Sequence, residues 1–350
     1  NITMAYTHDP LEWLQDFKSK RYDFMTIEFK QHSHIFTTCF EPNRINNETI
    51  HKFLKLFECL PKDVKAVLLV NIDTDNAHVL MLNKFIPTFK YYQLLHEPFR
   101  MLPTQSNWTS DADKFVCLTG IPTRYNRYKL IVELDKHNLL KHCVYSLQLE
   151  PSHKEVCLNM LSIADADIYS KDFMGLNSNP DNIEWYPSAG AGHSVPSSIM
   201  DTDILTNKLF RLVSETLWDN TPGHKFITEK TWYTIGYKLP FIIAGQAGTC
   251  KFLKQLGFNT FDDWLIQPYD NIQDGAKRME AIIKNTEHWI KTLKTSNGVR
   301  EAVEHNYNRM LELGHENEEV YKSAFSIIDE PYPAPILSID RIDKLKETIS

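Results

Sequence analysis

Along the chain, apolar positions switch repeatedly between helix-like and strand-like spacing. Asp9-Pro10 reads as an N-cap followed by proline at the first helical position, and Leu11, Leu14 and Phe17 keep helical spacing over residues 9–20. Tyr22 to Phe29 alternates and predicts a strand, and His32 to Phe40 predicts another. Asn47-Glu48-Thr49 opens a helix carrying Ile50, Phe53, Leu54 and Phe57. Val64 to Val70 is a short, nearly continuous apolar run, the mark of a buried parallel strand. It ends in Asn71-Ile72-Asp73-Thr74-Asp75, which puts polar groups at a strand's carboxyl end. The first hundred residues therefore predict an alternating α/β unit. Phe89 to Leu95 leads to His96-Glu97-Pro98-Phe99 and a loop through Pro103 and Asn107, with a domain boundary expected around Ser110.

The alternation resumes at Lys114 to Gly120, a strand. A Gly-Pro turn and Arg124-Tyr125-Asn126-Arg127 follow, and then Leu130, Ile131, Leu134 and Leu139-Leu140 at helical spacing. His142 to Leu149 predicts a strand, and Lys154 to Ala164 a helix. Residues 175–200 are irregular and include Gly190-Ala191-Gly192-His193. A loop of that length suits phosphate approach, acceptor binding or a lid, and the glycine pattern is incomplete for a phosphate loop. Phe210 to Thr216 is an apolar strand ending at Glu215. Beyond Pro222-Gly223, Phe226-Ile227-Thr228-Glu229-Lys230-Thr231 opens a helix, and Pro240 to Gly245 is a second buried strand. Thr249 to Leu256 is helical, with Gly257 as its stop. Ile272 to about Leu313 reads as helix, with Met279, Ile282, Ile283, Trp289, Ile290 and Leu293 at core spacing, and one more helix is expected after Asn317.

The predicted fold is α/β with two domains. Residues 1–110 are expected to form an N-terminal α/β unit, and residues 111–314 a C-terminal α/β unit. The segment 315–350 is available to pack back on the first.

Composition narrows the picture only modestly. The chain has 350 residues, 42% hydrophobic and 24% charged, with a formal net charge of -7. That charge does not suggest attraction of the whole surface to nucleic acid or anionic membranes, although a local basic cleft is compatible with it. Six cysteines lie far apart with no CxxC pair, so neither a zinc knuckle nor a redox pair is indicated. Cys117, Cys143 and Cys250 fall in or beside apolar runs and read as buried thiols, which favours a reducing compartment. Sequons at Asn1, Asn47 and Asn107 are short enough to arise by chance. There is no run of 18 apolar residues and no signal-peptide pattern, so a soluble cytoplasmic protein is expected. The first residue is Asn1 rather than Met, so a short leader ahead of it is also an expectation.

Two strand-to-helix turns carry the candidate chemistry. In open α/β sheets ligands sit at the carboxyl ends of strands, against helix N-termini. Glu229-Lys230 at such a turn suits a sugar or ribose hydroxyl on the carboxylate and a phosphate on the ammonium. It equally suits a solvated ion pair at a helix start. Arg124 and Arg127 crowd a second helix start, where basic residues gain nothing from the helix dipole and need a partner. A phosphate is one candidate, and snorkelling over aromatic neighbours is the other.

These residues resemble a known family. Phe226-Ile227-Thr228-Glu229-Lys230, the helix after it and Pro240 to Gly245 look like the donor-binding signature of α1,3-fucosyltransferases. Ser214-Glu215 resembles the strand end ahead of that signature. Arg124 and Arg127 resemble the arginine-bearing start of the helix after the first C-domain strand, and His96-Glu97-Pro98 resembles an N-domain element. The combined pattern resembles most the fucosyltransferase-like glycosyltransferases of bacteriophages, over roughly residues 114–265. The resemblance implies a GT-B-type fold, two Rossmann-like domains facing a cleft, and a metal-independent sugar transfer with no cofactor beyond the nucleotide-sugar substrate. It implies donor binding by Arg124, Arg127, Ser214, Glu215, Thr228, Glu229, Lys230 and Thr231, and a general base at Glu97, with Asp73, Asp75 and Glu28 as rivals. The family has Asn where this chain has Thr216, which leaves the donor open between a UDP- and a GDP-sugar. Asp73-Thr74-Asp75 also has the spacing of a metal clamp, an alternative ranked lower because basic residues already supply charge neutralisation.

The leading expectation is therefore a glycosyltransferase. A 5-hydroxymethylpyrimidine in phage DNA is a candidate acceptor, which would be flipped from its duplex and approached by Lys18, Lys20, Arg21, Lys84, Lys90 and Arg100. A glycan or lipid saccharide is the second acceptor class, with Tyr91, Tyr92 and Trp108 as stacking platforms. A non-catalytic nucleotide-sugar-binding protein is the alternative of a different kind. The oligomeric state is open.

Overall fold

A computed structural model describes residues 33–38, 65–70, 89–93, 108–120, 122–183, 202–219, 225 and 227–326. For 33–38, 65–70, 89–93, 202–203, 229 and 317–326 it describes the backbone alone. The chain divides into two compact units. One comprises Asn1–Pro98, Thr221–Phe226 and Leu311–Ser350, and the other Phe99–Asn220 and Ile227–Met310.

In the first unit three strands are described: β1 (Ser33–Thr38), β2 (Lys65–Val70) and β3 (Phe89–Gln93). They pair in parallel in the order β1-β2-β3. The apolar run ending at Val70 is thus the middle one of the three described strands. The strand expected at Tyr22–Phe29 and the helices expected at 9–20 and 47–57 lie outside the described residues.

The second unit is α/β around a four-stranded parallel sheet. Its strands are β4 (Phe115–Gly120), β5 (Cys143–Leu147), β6 (Arg211–Ser214) and β7 (Phe241–Ala244). Between β4 and β5 runs α1 (Tyr125–Lys136). Between β5 and β6 come α2 (Lys154–Leu158), α3 (Ile163–Lys171) and α4 (Thr202–Leu205). Then α5 (Glu229–Gly236) links β6 to β7, and α6 (Thr249–Gln255), α7 (Gly275–Thr292) and α8 (Val299–Ser326) follow.

The sheet order is β5-β4-β6-β7. After β4 the chain steps to one side, and after β6 it steps to the other. The switch point therefore lies between β4 and β6, and right-handed crossovers place α1 and α5 on opposite faces. The β4–β6 junction is held by Val116 N–H to Phe210 O at 3.1 Å and Leu209 N–H to Lys114 O at 2.8 Å. The outer edge of β5 is closed by loop residues rather than by a strand. Tyr145 N–H donates to Asp181 O at 2.9 Å, Ile183 N–H to Tyr145 O at 2.8 Å, and the Asn182 amide bonds both the N–H and the carbonyl of Leu147. Side-chain pairing of this kind satisfies an edge that would otherwise template another strand.

Aromatic packing fills the core beneath the sheet. Phe115 stacks on Phe210 at 4.9 Å, Phe210 meets Trp289 edge-on at 5.2 Å, and Phe261 bridges Trp289 and Phe241 at 6.0 and 5.0 Å. The apolar spacing of Met279, Ile282, Ile283 and Trp289 is core packing, since all four are buried. Cys117, Cys143, Cys157 and Cys250 are free and buried. Burial pushes the Cys117 thiol up to about 12 and the Cys157 thiol to about 11, so neither offers a thiolate near neutrality.

Four helix expectations differ from the structure. Helix α1 stops at Lys136, and beyond a turn through Asn138 at φ +57 the buried Leu139 and Leu140 lead into a short 3-10 helix, Leu140–His142. The helix expected at 154–164 is two helices, because Ser162 caps α3 by accepting the Asp165 N–H at 3.2 Å. The expected 272–313 helix is broken between α7 and α8 at Gly298, φ +80, a left-handed position that favours glycine. The separate helix expected after Asn317 is the continuation of α8. Among the described residues no helix is long and apolar enough to cross a membrane.

Trp289 is fully buried and donates its indole N–H to Trp264 O at 2.8 Å. Trp289→Ala is expected to lower unfolding free energy by about 3–5 kcal/mol, read from urea denaturation of the folded chain. A loss below about 1 kcal/mol would mean that this aromatic layer is not the core.

Candidate functional site

The carboxyl ends of β4 and β6 present the features picked out from the sequence, and they meet around one buried acid. Glu215 directly follows β6 and is 1% exposed. Its N–H continues the ladder onto Ala244 O at 3.0 Å, which locks the residue against β7. A carboxylate so placed is strongly destabilising unless its lone pairs are filled. Four donors fill them. Oε2 accepts the Thr216 N–H at 3.2 Å and the Thr228 hydroxyl at 2.6 Å. Oε1 accepts the Thr228 N–H at 3.2 Å and the Thr231 hydroxyl at 2.5 Å.

Those donors impose a direction on the next layer. A threonine hydroxyl has one proton. Thr228 spends its proton on Glu215, so its lone pairs face away, and there they accept the Lys230 N–H at 3.4 Å and the Lys230 ammonium at 3.2 Å. Thr228 is thus the N-cap of α5, in extended conformation at φ -99 and ψ 176. The ammonium of Lys230 also donates to the Thr216 hydroxyl at 3.3 Å.

Arg124 arrives from the β4 side. It is the N-cap residue of α1, makes no side-chain cap, and the first turn of α1 holds no acid. Its guanidinium Nη1 donates instead to Thr216 O at 2.9 Å. Asn126, 1% exposed, donates to Glu215 O at 2.7 Å and to the Ser214 hydroxyl at 3.4 Å. Arg127 is half-buried on the same first turn, its N–H on Arg124 O at 3.0 Å.

The loop after β6 is pinned at four carbonyls by four side chains, two from the start of α1, one from α7 and one from the turn after β7. Asn126 takes Glu215 O, and Arg124 takes Thr216 O. Arg278 of α7 takes Trp218 O at 2.7 Å, and the Gln246 amide takes Asp219 O at 2.9 Å. Arg278 is 2% exposed, also bonds Gly245 O at 3.1 Å and Ile272 O at 2.6 Å, and lies 4.3 Å from the Trp218 ring centroid. Burial lowers its pKa from the usual guanidinium value, opposed by Asp270, Asp219 and Asp274. Gly245 sits in close approach to the acid. A Cβ there would sit 3.2 Å from Glu215 Cβ and 3.3 Å from Ile243 Cγ2.

Compared with known proteins, the chain matches no family model, no curated protein and no solved structure.

Of the residues singled out from sequence, the structure gathers Arg124, Ser214, Glu215, Thr228, Lys230 and Thr231 within one hydrogen-bonded group. Glu229 opens α5 by its backbone, and its side chain lies outside the described residues. Glu97, Asp73, Asp75, Glu28, Phe226 and the Gly190–His193 run lie outside them as well. So do Lys18, Lys20, Arg21, Lys84, Arg100 and the side chains of Lys90, Tyr91 and Tyr92. Glu215 differs from expectation. With both oxygens engaged by protein donors, it braces the site rather than facing a ligand. Trp108 is also corrected: it is 7% exposed and its indole N–H is bound to Leu209 O at 2.8 Å, so it offers no stacking face. Among the described residues no group of three or more His, Cys, Asp or Glu side chains is placed to hold a metal ion. Asn126, Thr216, Gln246 and Arg278 were missed. Arg278 had a signal, a charged residue on the apolar stripe it shares with Ile282 and Trp289.

Glu215→Gln keeps the shape but turns one acceptor into a donor aimed at N–H and O–H groups. It is expected to cost about 1–3 kcal/mol in chemical unfolding. An unchanged midpoint and slope would contradict the bracing role.

Proposed function

We propose that the chain is a glycosyltransferase that binds the diphosphate of a nucleotide-sugar donor at this switch point and transfers the sugar to an acceptor hydroxyl. The observation that carries the reading is the convergence of Arg124 and Lys230 on a single residue, Thr216, at the carboxyl edge of a parallel sheet. Nucleotide ligands of open α/β sheets bind at that position. In this reading the departing nucleoside diphosphate gains negative charge in the transition state. The two cations and the N-terminus of α5 neutralise it without a metal ion. The partners described for them include a carbonyl and two hydroxyls, neutral acceptors that are weaker than a phosphate oxygen.

The GT-B architecture, the assignment of Glu97 as general base and the remaining donor contacts of Arg127 and Glu229 belong to the same proposal, and rest on the family resemblance. The acceptor is proposed on that ground too, as a hydroxymethylated pyrimidine of DNA, with a glycan or lipid saccharide as the competing class. The donor is proposed as a UDP- or GDP-sugar, and the cytoplasm of a bacterial host as the compartment.

Incubation with UDP-, GDP- and CMP-sugars is expected to release nucleoside diphosphate from a UDP- or GDP-sugar. The rate should rise with hydroxymethylcytosine or hydroxymethyluracil DNA and not with unmodified DNA. Neither release nor binding across the panel would end the enzyme reading, and stimulation by oligosaccharides alone would move the acceptor to the glycan class. Arg124→Ala is expected to raise the apparent donor dissociation constant by a factor equivalent to about 1.5–3 kcal/mol, measured by calorimetry. Unchanged donor affinity would remove Arg124 from the site.

A further inference from the structure

Thr216 is the point where the two cations are tied together. The Arg124 guanidinium donates to its carbonyl at 2.9 Å, and the Lys230 ammonium to its hydroxyl at 3.3 Å. The separation of the cationic heads is therefore limited by one threonine residue and two hydrogen bonds. Thr216 itself is fixed from behind. Its N–H is held by the Glu215 carboxylate at 3.2 Å, and the preceding carbonyl by Asn126 at 2.7 Å. Beyond it, Trp218 O and Asp219 O are held by Arg278 and Gln246. A residue anchored at its own N–H and on both flanks, with its two outward polar atoms on two cations from two different elements, acts as a spacer between charges. Arg124 comes from the β4 turn and Lys230 from the β6 turn, and Thr216 bonds both.

We propose that Thr216 is a positioning and specificity-determining residue. It sets the spacing of Arg124 and Lys230 so that the pair takes two linked phosphoryl groups in preference to one. This rests on the nucleotide-sugar reading above. A monophosphate is satisfied at Arg124 alone, whose hold on the Thr216 carbonyl does not depend on the threonine side chain. A diphosphate needs the ammonium at its set place as well, and the Thr216 hydroxyl contributes to that placement together with the Thr228 hydroxyl at 3.2 Å.

The test is calorimetric titration of the full chain with UDP, UMP, GDP and GMP, comparing wild type with Thr216→Val and Thr216→Ser. Valine keeps the shape and the backbone carbonyl and removes the hydroxyl, while serine keeps the hydroxyl. The expected result is a loss of about tenfold in affinity for the diphosphate that the wild type prefers, the size of one hydrogen bond to a charged group. The matching monophosphate should bind as before, and the serine variant should behave as wild type. Thr216→Ala makes the same comparison if thermal unfolding shows the valine variant disturbed. Equal losses for monophosphate and diphosphate, or no loss in a folded hydroxyl-free variant, would overturn the role of Thr216. Absence of diphosphate binding to the wild type would instead overturn the nucleotide-sugar reading, and the role of Thr216 with it.

Discussion

A carboxylate buried without a counter-charge on its own oxygens constrains everything around it. Glu215 is 1% exposed, and its oxygens are met by two backbone N–H groups and two threonine hydroxyls. Removing such a group from water is costly, and the cost is offset only when every lone pair is met with good geometry. That requirement fixes the start of α5 against the end of β6. It also accounts for Thr228 and Thr231 at 0–2% exposure and for a glycine at position 245, where a side chain would press on the acid.

The same constraint reaches the cations by hydrogen-bond polarity. Because Thr228 and Thr231 both donate inward, the outward capacity of Thr228 is that of an acceptor, and an ammonium suits it. Arg124 and Lys230 are thereby oriented before any ligand arrives. A preorganised donor set avoids reorganisation at the moment charge develops, which is how fixed dipoles and cations stabilise a departing anion. The pinned carbonyls of residues 215–219 extend this rigidity along the loop.

Much of this was legible in the sequence, and the reasons are physical. Buried parallel strands announce themselves as short apolar runs, so β2, β4, β6 and β7 were placed closely. Arginines at a helix start with no acid nearby are unfavourable alone, which pointed to Arg124 having a partner. The role of Glu215 was not legible, because a strand-end acid reads as a ligand-facing group until its burial is known. Asn126 and Gln246 act through amides on distant carbonyls, contacts across 89 and 27 positions of the chain that no local pattern encodes. Trp108 failed as a platform for a similar reason, since its partner Leu209 O lies 101 positions away. The helix breaks at 159–162 and 293–298 were overridden in the reading by apolar spacing that continues on either side of a cap or a glycine.

The switch point between β4 and β6 is proposed as an anion site for a nucleoside diphosphate, and diffraction from crystals grown with UDP or GDP decides it. Density for the two phosphoryl groups is expected between the Arg124 guanidinium and the Lys230 ammonium, with Glu215 still buried behind Thr228. A diphosphate bound with its phosphates away from both cations would contradict it.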